Sequence, residues 1–301
     1  MKRYITALLI TILITASLFE TGGCSQPLAL TSNQLGWINN NYQLDASLPD
    51  TPDTVPVYRL KYPDVTEEYA LNIGDKFGVS EPLVDFKDSS GLYFLKNKHS
   101  DEGLEIALET GAILYHTNMK KLYPAEKPSL PDDEAAKDIA LKFLEEKGLL
   151  TPDIRVKEVV TGGTYYYGVA HLAVVFDYNI GDFPAVGIGK KLSVRIGDEG
   201  EVVQAQWYHT EYETTDMEVL IKTAQQAYKE LINNQLMLQP LGMEEGRKVR
   251  ITEVSLGYYL DSMTQTQDYV YPVYVFEGEY LDTLEGNPSV FIQYVDAREG
   301  F

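Results

Sequence analysis

Cysteine is nearly absent: Cys24 is the single one in 301 residues. An internal disulfide is therefore excluded, and stability has to come from a buried core. Histidine is scarce too. His99, His116, His171 and His209 are the four; none stands at a metal-ligand spacing such as H-x-x-x-H, so neither a metal site nor a cofactor is expected. His171 lies in a strand pattern and reads as structural. The chain has no G-x-S-x-G and no S-x-x-K, the spacings that place an activated serine. Positive charge is short as well, with 25 Lys and Arg against 45 Asp and Glu, a net −20. Such a surface is repelled by nucleic acid and by anionic headgroups, and it favours solubility or basic partners.

Only one long apolar run is present, Tyr4 to Phe19. It follows Lys2 and Arg3 and is shorter than the ~20 residues that comfortably cross a bilayer. Residues 1–23 thus have the layout of a secretory signal, and Thr21-Gly22-Gly23-Cys24 looks like a bacterial lipobox. The expectation is a protein lipidated at Cys24 and held at the extracytoplasmic face of the cell membrane. An uncleaved anchor helix and an ordinary cleaved signal are the alternatives. Removing residues 1–23 leaves 23 basic and 44 acidic residues. Residues 24–56 hold no Lys, Arg or His and are rich in Asn, Ser, Thr and Pro, the composition of a tether.

Three helices are then expected. The first is capped within Asp64-Val65-Thr66-Glu67, with Val65, Tyr69, Ile73 and Phe77 on one side. The second begins near Ser129-Leu130-Pro131, carries the stripe Ala136, Ile139, Ala140 and Phe143, and stops at Gly148. The third is expected to start from the box Thr215-Asp216-Met217-Glu218 and to face inward through Leu220, Ala224, Ala227 and Leu231. Strand patterns follow each helix: 92–95 and 104–116; then 154–160, 171–178 and 191–207; then 249–255, 269–278 and 289–297. The predicted fold class is α+β, as repeated modules of one helix packed on an antiparallel β-sheet. The expected boundaries are 57–120, 129–213 and 214–301.

Repetition is written into the strands. Ile154-Arg155-Val156-Lys157-Glu158-Val159 returns as Val249-Arg250-Ile251-Thr252-Glu253-Val254, and Val174-Val175-Phe176-Asp177 as Tyr274-Val275-Phe276-Glu277. Alternation puts Ile154 with Val156, and Val249 with Ile251, on one face. Arg155 and Arg250 point the other way, where Arg and Glu are expected to act as solvent-face cross-strand partners. A motif repeated in this way marks a building block rather than a catalytic site. The stretch Ala185 to Lys191 has Pro184 where a phosphate loop needs glycine and Leu192 where it needs Ser or Thr, so a hairpin turn is expected there. Gly197 to Glu201 is expected to be a polar turn, not a Ca²⁺ loop.

Tyrosine is abundant, 22 in all. Tyr165, Tyr166, Tyr167, Tyr258 and Tyr259 precede long apolar strands. They are the candidate partner-binding residues, because Tyr combines wide contact area with a polar tip; filling half-buried strand positions is the competing role. The helix at 134–148 and the strand Pro272–Gly278, in this order of elements, resemble YycH/YycI-type and PepSY-like extracytoplasmic modules. That resemblance implies a regulator without catalysis, acting on an envelope protein such as a sensor kinase or a protease. An envelope hydrolase using scattered carboxylates and a structural spacer are the alternatives.

Overall fold

The structure, a computed structural model, describes residues 41–79, 81–85, 91–163, 168–233, 247–281 and 289–300. The fold is α+β and built on antiparallel sheets. Chain order gives β1 (Asn41–Leu44), β2 (Thr54–Lys61), α1 (Glu67–Phe77), β3 (Glu81–Asp85), β4 (Leu92–Lys96), β5 (Gly103–Ala107) and β6 (Ile113–His116). Next come α2 (Met119–Leu122), α3 (Asp133–Glu146), β7 (Arg155–Gly162), β8 (His171–Asp177), β9 (Asn179–Ile180), β10 (Phe183–Val186), β11 (Leu192–Ile196) and β12 (Val202–Trp207). The remainder is β13 (Glu211–Leu220), α4 (Ala224–Ile232), β14 (Lys248–Tyr259), β15 (Tyr269–Tyr280) and β16 (Ser289–Asp296).

One sheet has the order β3-β4-β5-β6-β12-β11-β8-β7, antiparallel throughout. The other has the order β13-β2-β15-β14-β10-β9, with β16 beside β15 and β1 beside β14; only β1 and β10 run parallel to their partner β14. The ladder crosses the expected boundary between 120 and 129, since Tyr115 stands opposite Ala205. β1 and the start of β2 fall within the bounds expected for the tether, with β1 lying against Lys248–Ile251 and β2 against β13.

Helix ends follow capping chemistry. Thr66 caps α1 by accepting from the Tyr69 amide, and Asp132 caps α3 by accepting from Ala135. This leaves fewer orphan donors in the first turn. The box expected at Thr215–Glu218 is not a helix start: those residues lie in β13, where Thr215 donates its hydroxyl to the Val57 carbonyl. The box that forms is Thr223 with Gln226, eight residues later, and it opens α4.

The buried faces are close to the expected ones but rotated. In α3 the fully buried residues are Ala136, Ala140 and Leu144, with Ile139 and Phe143 partly covered at the side. The Phe143 ring meets Phe77 of α1 and Tyr115 of β6 at 6.0 and 5.9 Å. The two helices therefore share one face of the first sheet. α4 lays Ala227 and Leu231 on Val249, Ile251, Phe276 and Phe291 of the second sheet.

Both repeated Arg-x-x-Glu-Val stretches contain a β-bulge at the same place. The register shifts between Val156 and Glu158 in β7 and between Ile251 and Glu253 in β14. Lys157 and Glu158 are both exposed, as are Thr252 and Glu253. Strict alternation would have turned one of each pair inward; the extra residue lets two polar side chains face outward together. Val254 returns to the interior, 7 % exposed.

Candidate binding surface

The tyrosines singled out in the sequence do not form an exposed face where the structure describes them. Tyr258 and Tyr259 are each 1 % exposed. Adjacent strand residues point to opposite faces of a sheet, and at this point both faces are covered. Tyr258 stacks edge-on to Tyr58 at 5.2 Å and donates to the Pro56 carbonyl at 2.5 Å. Tyr259 packs edge-on to Tyr294 at 5.2 Å. Burial pushes both phenols well above their ordinary value of 10.0. Tyr165, Tyr166 and Tyr167, like Cys24 and the signal segment, lie outside the described residues.

Tyr259 is covered by the chain between β10 and β11. The segment Ala185–Lys191 is not the expected hairpin turn, because β10 and β11 belong to different sheets; it is a crossover. Gly187 has φ +106, and a Cβ on Gly189 would fall 1.7 Å from the Asp261 carbonyl oxygen. Glycine is required there by this close backbone approach. The crossover ends at Lys190, which forms an ion pair with Asp177 at the end of β8, both side chains 14 % exposed. Burial presses the Lys190 ammonium down to about 8, with Lys157 adding to the effect and Glu277 opposing it.

Two other polar groupings stand out. His209 and Asp153 meet at 2.9 Å, Nε2 to Oδ2, and the imidazole packs edge-on to Tyr178 at 4.6 Å. Burial works to raise the Asp153 carboxyl, but the Thr151 hydroxyl and His209 outweigh it and hold the group below its ordinary 3.8. Beside α4, Lys222 donates to both Glu230 oxygens at 2.8 and 2.7 Å, at the wall of an open cleft of about 330 Å³. His171 is buried, 3 % exposed, in keeping with a structural role. At Gly197–Glu201 the polar turn is found, its Asp198 accepting from the Ser129 amide at 2.6 Å. Among the described residues, no three His, Cys, Asp or Glu are grouped to hold a metal, and no helix is long and apolar enough to cross a membrane.

The sheet edges differ from one another in a way that matters for binding. An exposed edge presents unpaired backbone groups, and proteins usually blunt it with a bulge, proline, charge or a short strand. β3 carries Pro82 and a register shift; β7 carries Arg155, Lys157 and its bulge. β13 has Glu211, Glu213, Asp216 and Glu218 and a register shift. β1 and β9 are four and two residues long. β16 has none of these protections. It runs eight residues, SVFIQYVD, in unbroken register with β15. Its only charge is Asp296, at the end.

Phe291 and Val295 of β16 are buried beneath α4, whereas Val290 is 73 % exposed and Ile292 39 %. On the strand behind, Glu279 stands opposite Val290 and Glu277 opposite Ile292. Among the described residues, the far end of the strand is closed off by the Ile221–Arg298 bridge and the Lys222 amide donating to Ala297. The sequence signal was available: apolar residues on both faces of a strand pattern that contains no Lys, Arg or Pro. Its meaning depends on the strand lying last in its sheet.

No family model matches the chain. No curated protein matches it either. Among solved structures, an uncharacterized protein from Eubacterium rectale ATCC 33656 is similar, at 13% identity and a TM-score of 0.50, over 87% of this chain and 90% of that one. At that identity the likeness concerns the fold, which the two chains share over nearly their whole lengths.

Proposed function

We propose that this is a lipid-anchored extracytoplasmic protein that binds and regulates another envelope protein by contact, without catalysis. The observation that carries this reading is the unprotected β16 edge, with Val290 and Ile292 in solvent beside it. An edge of this kind is a template for strand addition. Cys24 is the anchor, and the acidic exterior keeps the folded part off anionic headgroups. The orders α1-β3-β4-β5-β6 and α3-β7-β8-β11-β12, and the shared bulge of β7 and β14, support a scaffold of repeated modules, one helix on an antiparallel sheet. Such modules in the resembling families imply a sensor kinase or a protease as the partner, and the acidic surface argues against nucleic acid.

The test is crosslinking in intact cells, with a photo-reactive amino acid at position 290 and, as control, at Lys142 on the exposed side of α3. A discrete partner captured from position 290 and not from 142 supports contact through this edge. Equal capture from both positions, or none from 290, removes it.

A further inference from the structure

The β16 edge also specifies what it would accept, on the footing that it is a contact site at all. We propose that it takes an extended segment of another protein as an added strand, a segment in which lysine or arginine alternates with β-branched residues along one face. Three observations converge on this chemistry.

The first is the backbone: β16 is straight in register and lacks the devices that discourage pairing. The second is the exposed row Val290 and Ile292, which offers cross-strand contact to β-branched side chains. The third is charge. Glu253 stands directly opposite Glu277, and like charges so placed are unfavourable. The nearby cation, Lys190, is already in an ion pair with Asp177, and Arg250 with Glu279. A strand added to β16 would lie roughly 9–10 Å from β15, two strand spacings away. A long basic side chain can lie over Ile292 and bring its charge toward Glu277, its stem covering the apolar surface.

The net charge of −20 favours the same occupant. It draws in a cationic segment and opposes edge-to-edge pairing of two copies of this chain.

The full chain in detergent can be titrated against three labelled peptides by fluorescence anisotropy. One is Thr-Val-Lys-Val-Thr-Val-Lys-Val-Thr; the second has Glu for each Lys; the third has Pro for alternate residues of the first. The Lys peptide is expected to bind, to weaken with added salt, and to lose roughly tenfold or more in affinity with Val290→Lys or Glu277→Gln. The Glu and Pro peptides should bind at least about tenfold more weakly. Circular dichroism of both variants checks that each remains folded. Equal binding of the Pro peptide overturns strand addition, and equal binding of the Glu peptide overturns the basic preference. A dimer in sedimentation that Val290→Lys dissolves assigns the edge to a second copy and overturns the proposal. If position 290 captures a partner in cells while no Lys peptide binds, the contact reading stands and this chemistry alone falls.

Discussion

Arg250 stands opposite Glu279 across the β14–β15 ladder, and its guanidinium donates to that carboxylate. In the other sheet, Arg155 stands opposite Asp177 across β7–β8. There the carboxylate is taken by Lys190, and Arg155 donates instead to the Asn179 side chain at 2.8 Å. The two Arg residues do face outward as alternation requires. Arg250 thus has a cross-strand carboxylate partner on β15, whereas the partner of Arg155 belongs to β9 of the other sheet. What the motifs share is the bulge one step later.

That bulge gives the first prediction. Deleting Thr252 would remove the extra residue and leave Val249 and Ile251, both 0 % exposed, in strict alternation with Val254 on one face, Glu253 staying outward. Cooperative unfolding is expected to persist in the deletion variant. Thr252→Ala keeps the residue count and should change stability by no more than about 0.5 kcal/mol. Urea denaturation checks both variants; a deletion variant that no longer unfolds cooperatively would show that the extra residue is needed for more than turning two polar side chains outward.

The rotated face of α3 gives the second. Leu144→Ala removes a side chain that is 0 % exposed and should cost about 2–5 kcal/mol. Phe143→Ala should cost less than the ~3–5 kcal/mol typical of a fully buried Phe, because its ring is only partly covered. Lys142→Ala, at a side chain 76 % exposed, should be close to neutral. Thermal or chemical denaturation would sink this assignment if Phe143 proved the costliest of the three.

Two carboxyls should respond to pH in opposite directions. Asp153 is held below 3.8 by Thr151 and His209, so the folded state binds its proton less readily than the unfolded chain. Its contribution is present above that value and is lost as pH falls through the folded pKa. Glu105 is raised above 4.5 by burial, with His116 opposing. Its contribution is present below 4.5 and is lost as pH rises through the raised pKa. At neutral pH, Asp153→Asn should lower the thermal midpoint and Glu105→Gln should raise it. Both differences should shrink when melting is repeated at about pH 3. A shared sign at neutral pH would contradict the assignment.

The anchor gives a prediction independent of the fold. Cys24→Ser should abolish fatty-acid labelling and either release the protein from the membrane fraction or stall its processing. Each lipid chain contributes about 0.8 kcal/mol per buried CH₂, so stable anchoring needs more than one chain. A mutant that still incorporates labelled fatty acid would place the modification elsewhere.

Much of the local structure is legible in the sequence, because periodicity and capping act over a few residues. The strands at 92–96, 171–177, 192–196 and 269–280 follow from alternation and β-branched content. The turn at Gly111 and the stop at Gly148 follow from residues that adopt positive φ readily. Capping chemistry alone could not choose between Thr215 and Thr223, since both present the same kind of box. The choice fell to Thr223 because residues 211–220 are paired with β2, more than 150 residues earlier in the chain.

Long-range pairing decided the rest. Asn41–Leu44 alternates polar and apolar over only four residues, too few to mark a strand in the sequence, and is a strand because it lies against Lys248–Ile251. Tyr258 and Tyr259 resemble an exposed aromatic pair in sequence, and become core because a second element covers each face of β14. β16 reads like any other buried strand, and becomes an edge because only β15 flanks it among the described strands. Periodicity records which face of an element is apolar. Which element ends a sheet, and what lies over its second face, depends on contacts between distant parts of the chain, to which no local pattern responds.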